Sequence, residues 1–518
     1  MSRASVWAGA SAAVALALAL ALFDPRLFTG GDNATYYALA EALVTGRGYV
    51  DLITPGQPLH AVYPPGFPLL LVPFYWTFSG SMVGLKLVSL LAAGVALWGL
   101  WRLARRDPAL PEWSTAAAVA LVGLYPVFLD YAHWVLSEMA YLSVTLLATW
   151  VFLRAEPTEG TARHADRWTG SWLLGLALAL VSFSIRTAGF ALLLAALAHA
   201  TLHRRWRRAA AAGGAVLAGA VPWLAWTTAH APATGGYLQQ LRASDPYDPL
   251  SPPLSPAGFV ARSWDHAVHY ATVELPRLFW PVKETPDLVV VAALLLGGGL
   301  LAWGVGRAVS TRGIEVWDLH ALATAAVLVV WPWTGDRFFL TLAPFLWLYL
   351  LAGLDGASRL WGRSPMPAAV LAGALAAFLA IGAAARIPGQ WEVTRAHMEG
   401  EELAGYNVFW SDYFEASRWI GEQAPDAVIV ARKPSLAWYW SGRPAFVFPF
   451  RFQPEPTWRL IRARGATHAL YDNLGSTQAF LRPALETRPD AIEVVHAAPA
   501  RNVFVLRIAP PAETPGSP

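Results

Sequence analysis

VWAGASAAVALALALALF, residues 6–23, and the stretch that follows a short turn later, GDNATYY, residues 31–37, decide how this chain is read. The first carries no charge and, as a helix rising 1.5 Å per residue, is about 27 Å long, close to the thickness of a bilayer's hydrocarbon core. The second delivers an aspartate, Asp32, to the surface where that span ends. An acid held there points to chemistry at one face of a membrane. A cleaved signal peptide has a similar pattern, but the basic clusters downstream give a consistent topology only if this segment stays as the first span.

The rest of the chain is of the same kind. Of its 518 residues, 56% are hydrophobic, 14% are charged and 26 are tryptophan, which excludes an ordinary soluble enzyme and indicates a polytopic α-helical membrane protein. The net charge of +3 is small and the arginines sit in short clusters between apolar runs, so nucleic acid is not an expected partner. With no cysteine, disulfides, thiolate zinc sites and cysteine nucleophiles are excluded.

Ten further apolar segments, at 81–103, 115–129, 134–153, 171–185, 188–202, 209–226, 288–306, 316–333, 338–354 and 368–384, bring the expected spans to about eleven. The proline-rich run 64–78 is read as re-entrant or interfacial, because counting it as a span would reverse the topology. With Arg3 cytoplasmic, four basic clusters fall in the cytoplasm: Arg102/Arg105/Arg106, Arg204/Arg205/Arg207/Arg208, Arg307/Arg312 and Arg359/Arg363, joined by the mixed loop 154–167. The outer face receives the loops 24–66 and 230–287, the turns at 130–133, Arg186 and Asp336-Arg337, and everything after Arg386. The expected organisation is a membrane domain over 1–386, an extracytoplasmic α/β domain over 387–508 and a frayed tail over 509–518, in a cytoplasmic membrane.

The outer face holds the residues suited to chemistry. Asp32 follows Gly30-Gly31 and precedes an amphipathic run, 34–44, expected to lie along the interface. Spacing alone leaves two readings: Asp32 caps that helix, or it is catalytic. Glu138, about one turn into a span, is costly to ionise there unless it faces a partner or a cavity, which makes it a second candidate ahead of Asp130. Arg186 and Arg337 are positive charges on the outer side, against the topological bias; phosphate recognition is one reason, and pairing of Arg337 with Asp336, or snorkelling, the other. Lys283 in the long loop is a further cation in reach of a phosphate, and Tyr63, in Tyr63-Pro64-Pro65-Gly66-Phe67-Pro68, belongs to a rigid segment that shapes the site.

His266 and His269 are three residues apart, but without further ligands an amphipathic helix on the membrane accounts for the spacing better than a metal; a divalent metal is unsupported and no cofactor is required. Asn33-Ala34-Thr35 matches a short glycosylation pattern. Arg432-Lys433 is either a solvated loop or a contact with headgroup or substrate.

These motifs together resemble the GT-C membrane glycosyltransferases, specifically bacterial enzymes similar to the protein O-mannosyltransferase and aminoarabinose transferase families. The resemblance rests on Gly31-Asp32-Asn33-Ala34-Thr35-Tyr36-Tyr37, Tyr63-Pro64-Pro65-Gly66-Phe67-Pro68, Leu136-Ser137-Glu138, Arg186-Thr187-Ala188-Gly189 and Asp336-Arg337-Phe338. In the tail it adds Trp419-Ile420, Ala427-Val428-Ile429-Val430 and Arg432-Lys433-Pro434. It implies transfer of a sugar from a polyprenyl-phosphate carrier to a lipid, glycan or protein acceptor, usually with inversion, with Asp32 as general base. The adjacent acids that those families often show in the second outer loop are absent here, Asp130 and Glu138 being apart. The alternative class is a non-catalytic carrier or flippase for lipid-linked sugars, which would place polar residues at mid-membrane in several spans.

Overall fold

The computed structural model describes residues 3–155, 169–230, 236–246, 251–282, 284–360 and 365–510. Each of the eleven expected apolar segments falls on helix. Among the described residues, five helical stretches are long and apolar enough to cross a membrane on their own: Arg3–Ala21, Met82–Ala104, Trp206–Ala229, Asp287–Arg312 and Met366–Met398. Leu20, Leu217, Leu296 and Ile381 on four of them stay exposed, as lipid permits and water would not.

Two segments differ from a plain span. The run 115–129 is broken into Glu112–Gly123 and Pro126–Tyr131, because Pro126 has no N–H to give and Tyr125 before it is extended, with ψ 125°. The run 338–354 is likewise divided into a short Asp336–Phe339 turn and the helix Ala343–Leu360. The proline-rich run forms the helix Gly66–Thr77, whose 12 residues make about 18 Å, too short for a bilayer core.

Close packing of the bundle relies on small residues. Helices Asp287–Arg312 and Ala343–Leu360 cross at Gly304 and Gly353, where an added Cβ would lie 1.9 Å from the Tyr349 carbonyl oxygen and 2.0 Å from that of Leu300. Only hydrogen fits there, as at small-residue crossings between membrane helices.

The charged residues sort to two ends. At one, Arg105 reaches Ser5, Arg312 bridges Asp107 and Asp318, Arg208 reaches the Ala155 carbonyl, and Asp355 holds Arg307 and Arg359. These are the expected basic clusters, so far as they are described; most of the 154–167 loop and Arg363 lie outside the described residues. At the other end, buried Lys86, a charge inside an expected span, donates to the carbonyls of Asp24 and Arg26 and ties down the start of the loop that follows the first span.

That loop departs from expectation. The helix Asp32–Val44 does not lie on a lipid surface: Ala34, Tyr36, Ala38, Leu39, Ala40 and Ala42 are buried, since its small and apolar side chains occupy more than one face. It packs between Gly66–Thr77 and the helix Pro434–Ser441 of the C-terminal region. Asn33 is buried too, which leaves no room for a glycan. The helix Pro256–His269 of the long loop, by contrast, buries no residue fully and rests one side on the helix Val316–Val330.

After the helix that runs on to Met398, the chain forms a five-stranded mixed sheet. Strands β1 (Ile429–Val430), β2 (Ala445–Phe446), β3 (His468–Asp472), β4 (Ile492–Ala497) and β5 (Val503–Ile508) lie in the order β2-β1-β3-β5-β4. The first three are mutually parallel and β5 is antiparallel to β3 and β4. The helices Val408–Gln423, Pro434–Ser441 and Pro454–Ala463 accompany it. Pro434–Ser441 has proline at its first turn and ends at Gly442 in the left-handed region, φ 67°, a start and a stop chemistry that favours a short helix. The tail from residue 511 lies outside the described residues.

Candidate active site

Asp32 is the first residue of its helix and is not the cap. Gly31 occupies the cap position with φ 101°, a backbone that side chains disfavour, and makes no side-chain cap bond. The Asp32 carboxylate is thereby left for other partners. Tyr63 donates its hydroxyl to Asp32 Oδ1 at 3.2 Å, and Arg337 Nη1 donates to Asp32 Oδ2 at 2.8 Å. Of the two readings that spacing left open, capping is excluded by this geometry.

Arg337 also faces the second carboxylate. Its Nε donates to Glu138 Oε1 at 2.6 Å, and Arg186 Nη1 reaches the same oxygen at 2.7 Å. Arg186 Nη1 further donates to Ser137 Oγ at 3.1 Å, as does the Tyr36 hydroxyl, also at 3.1 Å. Four charges from four separated segments of chain therefore form one network, Asp32 to Arg337 to Glu138 to Arg186. Both guanidiniums lie over the Phe338 ring, 5.4 and 5.5 Å from its centroid. Arg337 pairs with Asp32 and Glu138 in place of its neighbour Asp336, because the Asp336–Phe339 turn directs it inward.

Exposure separates the roles open to these groups. The Asp32 side chain is 30% exposed and Arg337 27%, whereas Glu138 is 0% exposed. The Asp32 carboxylate is open to solvent, whereas Glu138 is closed off behind its two arginines. Asp130, the weaker candidate, lies apart and pairs with Arg386. Lys283 lies outside the described residues.

Two residues that the sequence reading passed over belong here. Tyr237, from the short helix Tyr237–Arg242 in the long loop, brings a half-buried phenol within electrostatic range of Arg186, Asp32, Arg337 and Glu138, and desolvation pushes that phenol up. Lys433 crosses from the sheet domain to donate to the Gly30 carbonyl at 3.0 Å. No periodicity marks either one, since both come from distant loops. His269 and His266 engage Glu274 and the Val329 carbonyl, 3.3 and 3.2 Å away. Among the described residues no group of three or more His, Cys, Asp or Glu is arranged to hold a metal ion.

No protein-family model and no curated protein sequence matches the chain. Solved structures do match in shape. ArnT from Cupriavidus metallidurans, in the apo state and bound to undecaprenyl phosphate, aligns with TM-score 0.54 and 15% identity in both states. The apo alignment covers 98% of each chain, the bound one 97% of this chain and 98% of the other. The archaeal oligosaccharyltransferase AglB from Archaeoglobus fulgidus, in complex with an inhibitory peptide and a dolichol-phosphate, aligns with TM-score 0.56 and 13% identity over 96% of this chain and 74% of the other. The chain is a membrane protein with the fold of ArnT and AglB, the GT-C architecture that its motifs resemble.

Proposed function

We propose that the protein is a membrane glycosyltransferase that moves a sugar from a polyprenyl-phosphate carrier to a hydroxyl-bearing lipid, glycan or protein acceptor. The observation that carries this reading is the partly exposed Asp32 carboxylate, aimed by Tyr63 and Arg337 at the outer end of a GT-C fold. Solved neighbours of that fold carry undecaprenyl phosphate or a dolichol-phosphate, which supports a lipid-linked donor. The arginine clusters at the opposite end support a reading in which the site lies outside a cytoplasmic membrane, with the amino terminus inside.

Asp32 accepts the proton of the acceptor hydroxyl as its oxygen attacks the anomeric carbon, and the bond from that carbon to the phosphate oxygen breaks. Direct displacement inverts the anomeric centre. The electron pair leaves with the polyprenyl phosphate, whose charge grows by one. Tyr63 and Arg337 orient the base; Glu138 and Arg186 hold Arg337 in place, so Glu138 is a positioning residue. Asp32 and Glu138 do not fit a divalent cation in this arrangement, because the Arg337 guanidinium already bridges them, and no step runs through a metal.

The test uses the full chain in lipid nanodiscs with a labelled polyprenyl-phosphate sugar. Asp32→Asn keeps the shape and should lower transfer by about 10²- to 10⁴-fold, the usual contribution of a general base. Transfer at the wild-type rate would remove Asp32 from the mechanism. A flippase would not turn over the donor in detergent, where no second leaflet exists.

A further inference from the structure

Lys433 belongs to the sheet domain, yet its ammonium ends in the membrane site. Its backbone is fixed: the Lys433 carbonyl accepts from the Tyr413 hydroxyl and from the Leu436 and Ala437 amides, each at 3.1 Å, and Pro434 sets the next residue. From that anchored point the side chain crosses to Gly30, two residues before Asp32, and comes close enough for the Lys433 and Asp32 charges to act on each other.

The charges of the network balance without it. Asp32 and Glu138 bring two negative charges, Arg186 and Arg337 two positive ones, and each is already in an ion pair. A neutral site gives a phosphate little reason to bind. Lys433 is a cation outside that balance: among the described residues its ammonium has no carboxylate at ion-pair distance and one hydrogen-bond partner, Gly30, for three donors. A half-buried ammonium so poorly matched is costly, and an arriving anion offsets that cost.

We propose that Lys433 binds the phosphate of the lipid-linked donor and of the departing polyprenyl phosphate, so that the C-terminal domain completes the membrane site. This rests on the glycosyl-transfer reading above. As the anomeric carbon leaves the phosphate oxygen for the acceptor oxygen and the acceptor's proton passes to Asp32, a phosphodiester with one charge becomes a monoester with a second. Lys433 meets that developing charge with charge-assisted N–H donors.

Undecaprenyl phosphate binding to the full chain in nanodiscs of neutral lipid tests the assignment, with phosphatidylglycerol as competitor. Lys433→Ala should raise Kd about 10- to 100-fold, the worth of one hydrogen bond between charged partners. Lys433→Arg should stay within a few-fold of wild type. Lys433→Gln, which keeps an N–H donor on a shorter, uncharged side chain, should bind as weakly as Lys433→Ala, as a requirement for the charge predicts. Phosphatidylglycerol should not displace the ligand; equal competition, lost with Lys433, would make this a general headgroup site and overturn the proposal. Wild-type binding unchanged by Lys433→Ala overturns the proposal and leaves glycosyl transfer standing. A wild-type protein that neither binds undecaprenyl phosphate nor transfers sugar overturns both.

Discussion

Glu138→Gln is the sharpest probe of the charge network. Glu138 is fully buried and its Oε1 takes both Arg337 Nε at 2.6 Å and Arg186 Nη1 at 2.7 Å. A hydrogen bond to a charged group is worth about 1.5–3 kcal/mol, so losing the charge behind two of them costs roughly 3–6 kcal/mol. Removing one partner of a buried ion pair costs about 3–5 kcal/mol by an independent route. Glutamine retains an accepting oxygen, which places the expected loss near the lower end, about 3 kcal/mol, or roughly a hundredfold in the folding equilibrium. Two guanidiniums would then share one carboxylate, Asp32, leaving the network one positive charge in excess. Restoring the balance should restore stability: Glu138→Gln with Arg186→Gln should cost less than Glu138→Gln alone, a coupling of about 1.5–3 kcal/mol. The assay is reversible unfolding in mixed micelles, followed by tryptophan fluorescence, for wild type, both singles and the double. Single costs that simply add in the double, or a Glu138→Gln protein as stable as wild type, would refute the network.

Three further outcomes are expected. Gly31→Ala must hold a side chain at φ 101° with its Cβ 2.8 Å from Ser435 Oγ. It should cost about 1–2 kcal/mol and lower transfer more than it lowers stability, measured by initial rates beside unfolding midpoints, because the strain falls on the residue that aims Asp32. Gly304→Leu should prevent the crossing at Gly353 and abolish a monodisperse peak in size-exclusion chromatography, whereas Leu322→Ala, on an exposed helix face, should not. Burial, and then Arg432 beside it, hold the Lys433 ammonium below the ordinary lysine range, with Asp32 pulling the other way. The cation is therefore present at low pH and lost as pH rises through that lowered value. Undecaprenyl phosphate affinity should fall on the alkaline side in wild type and hold in Lys433→Arg, whose guanidinium stays charged; identical profiles would exclude Lys433 as the titrating group.

The path from sequence to site was uneven for physical reasons. Apolar length is a local property, so the membrane helices could be read directly, along with the sorting of arginines to one end. The run 115–129, expected as one span, is broken by Pro126 acting on Tyr125, a signal carried by two residues that apolar length overrode. The role of Asp32 was not legible in that way. Its capping and catalytic readings differ in which atoms meet the carboxylate, and those atoms belong to Tyr63 and Arg337, the latter 305 residues away.

By itself, the sequence determined that this is a polytopic membrane protein, where its apolar segments lie, which charges face one end, and that a sheet-bearing region follows. These follow from composition and period, which each segment carries alone. The tertiary structure decided what those charges do. It buried the helix after Asp32 that an amphipathic reading laid on the surface, joined Glu138 and Arg186 into a pair, and turned Arg337 toward two carboxylates. It also brought Lys433 from the far domain to Gly30. An ion pair's strength depends on distance and burial, and neither exists until the chain has folded.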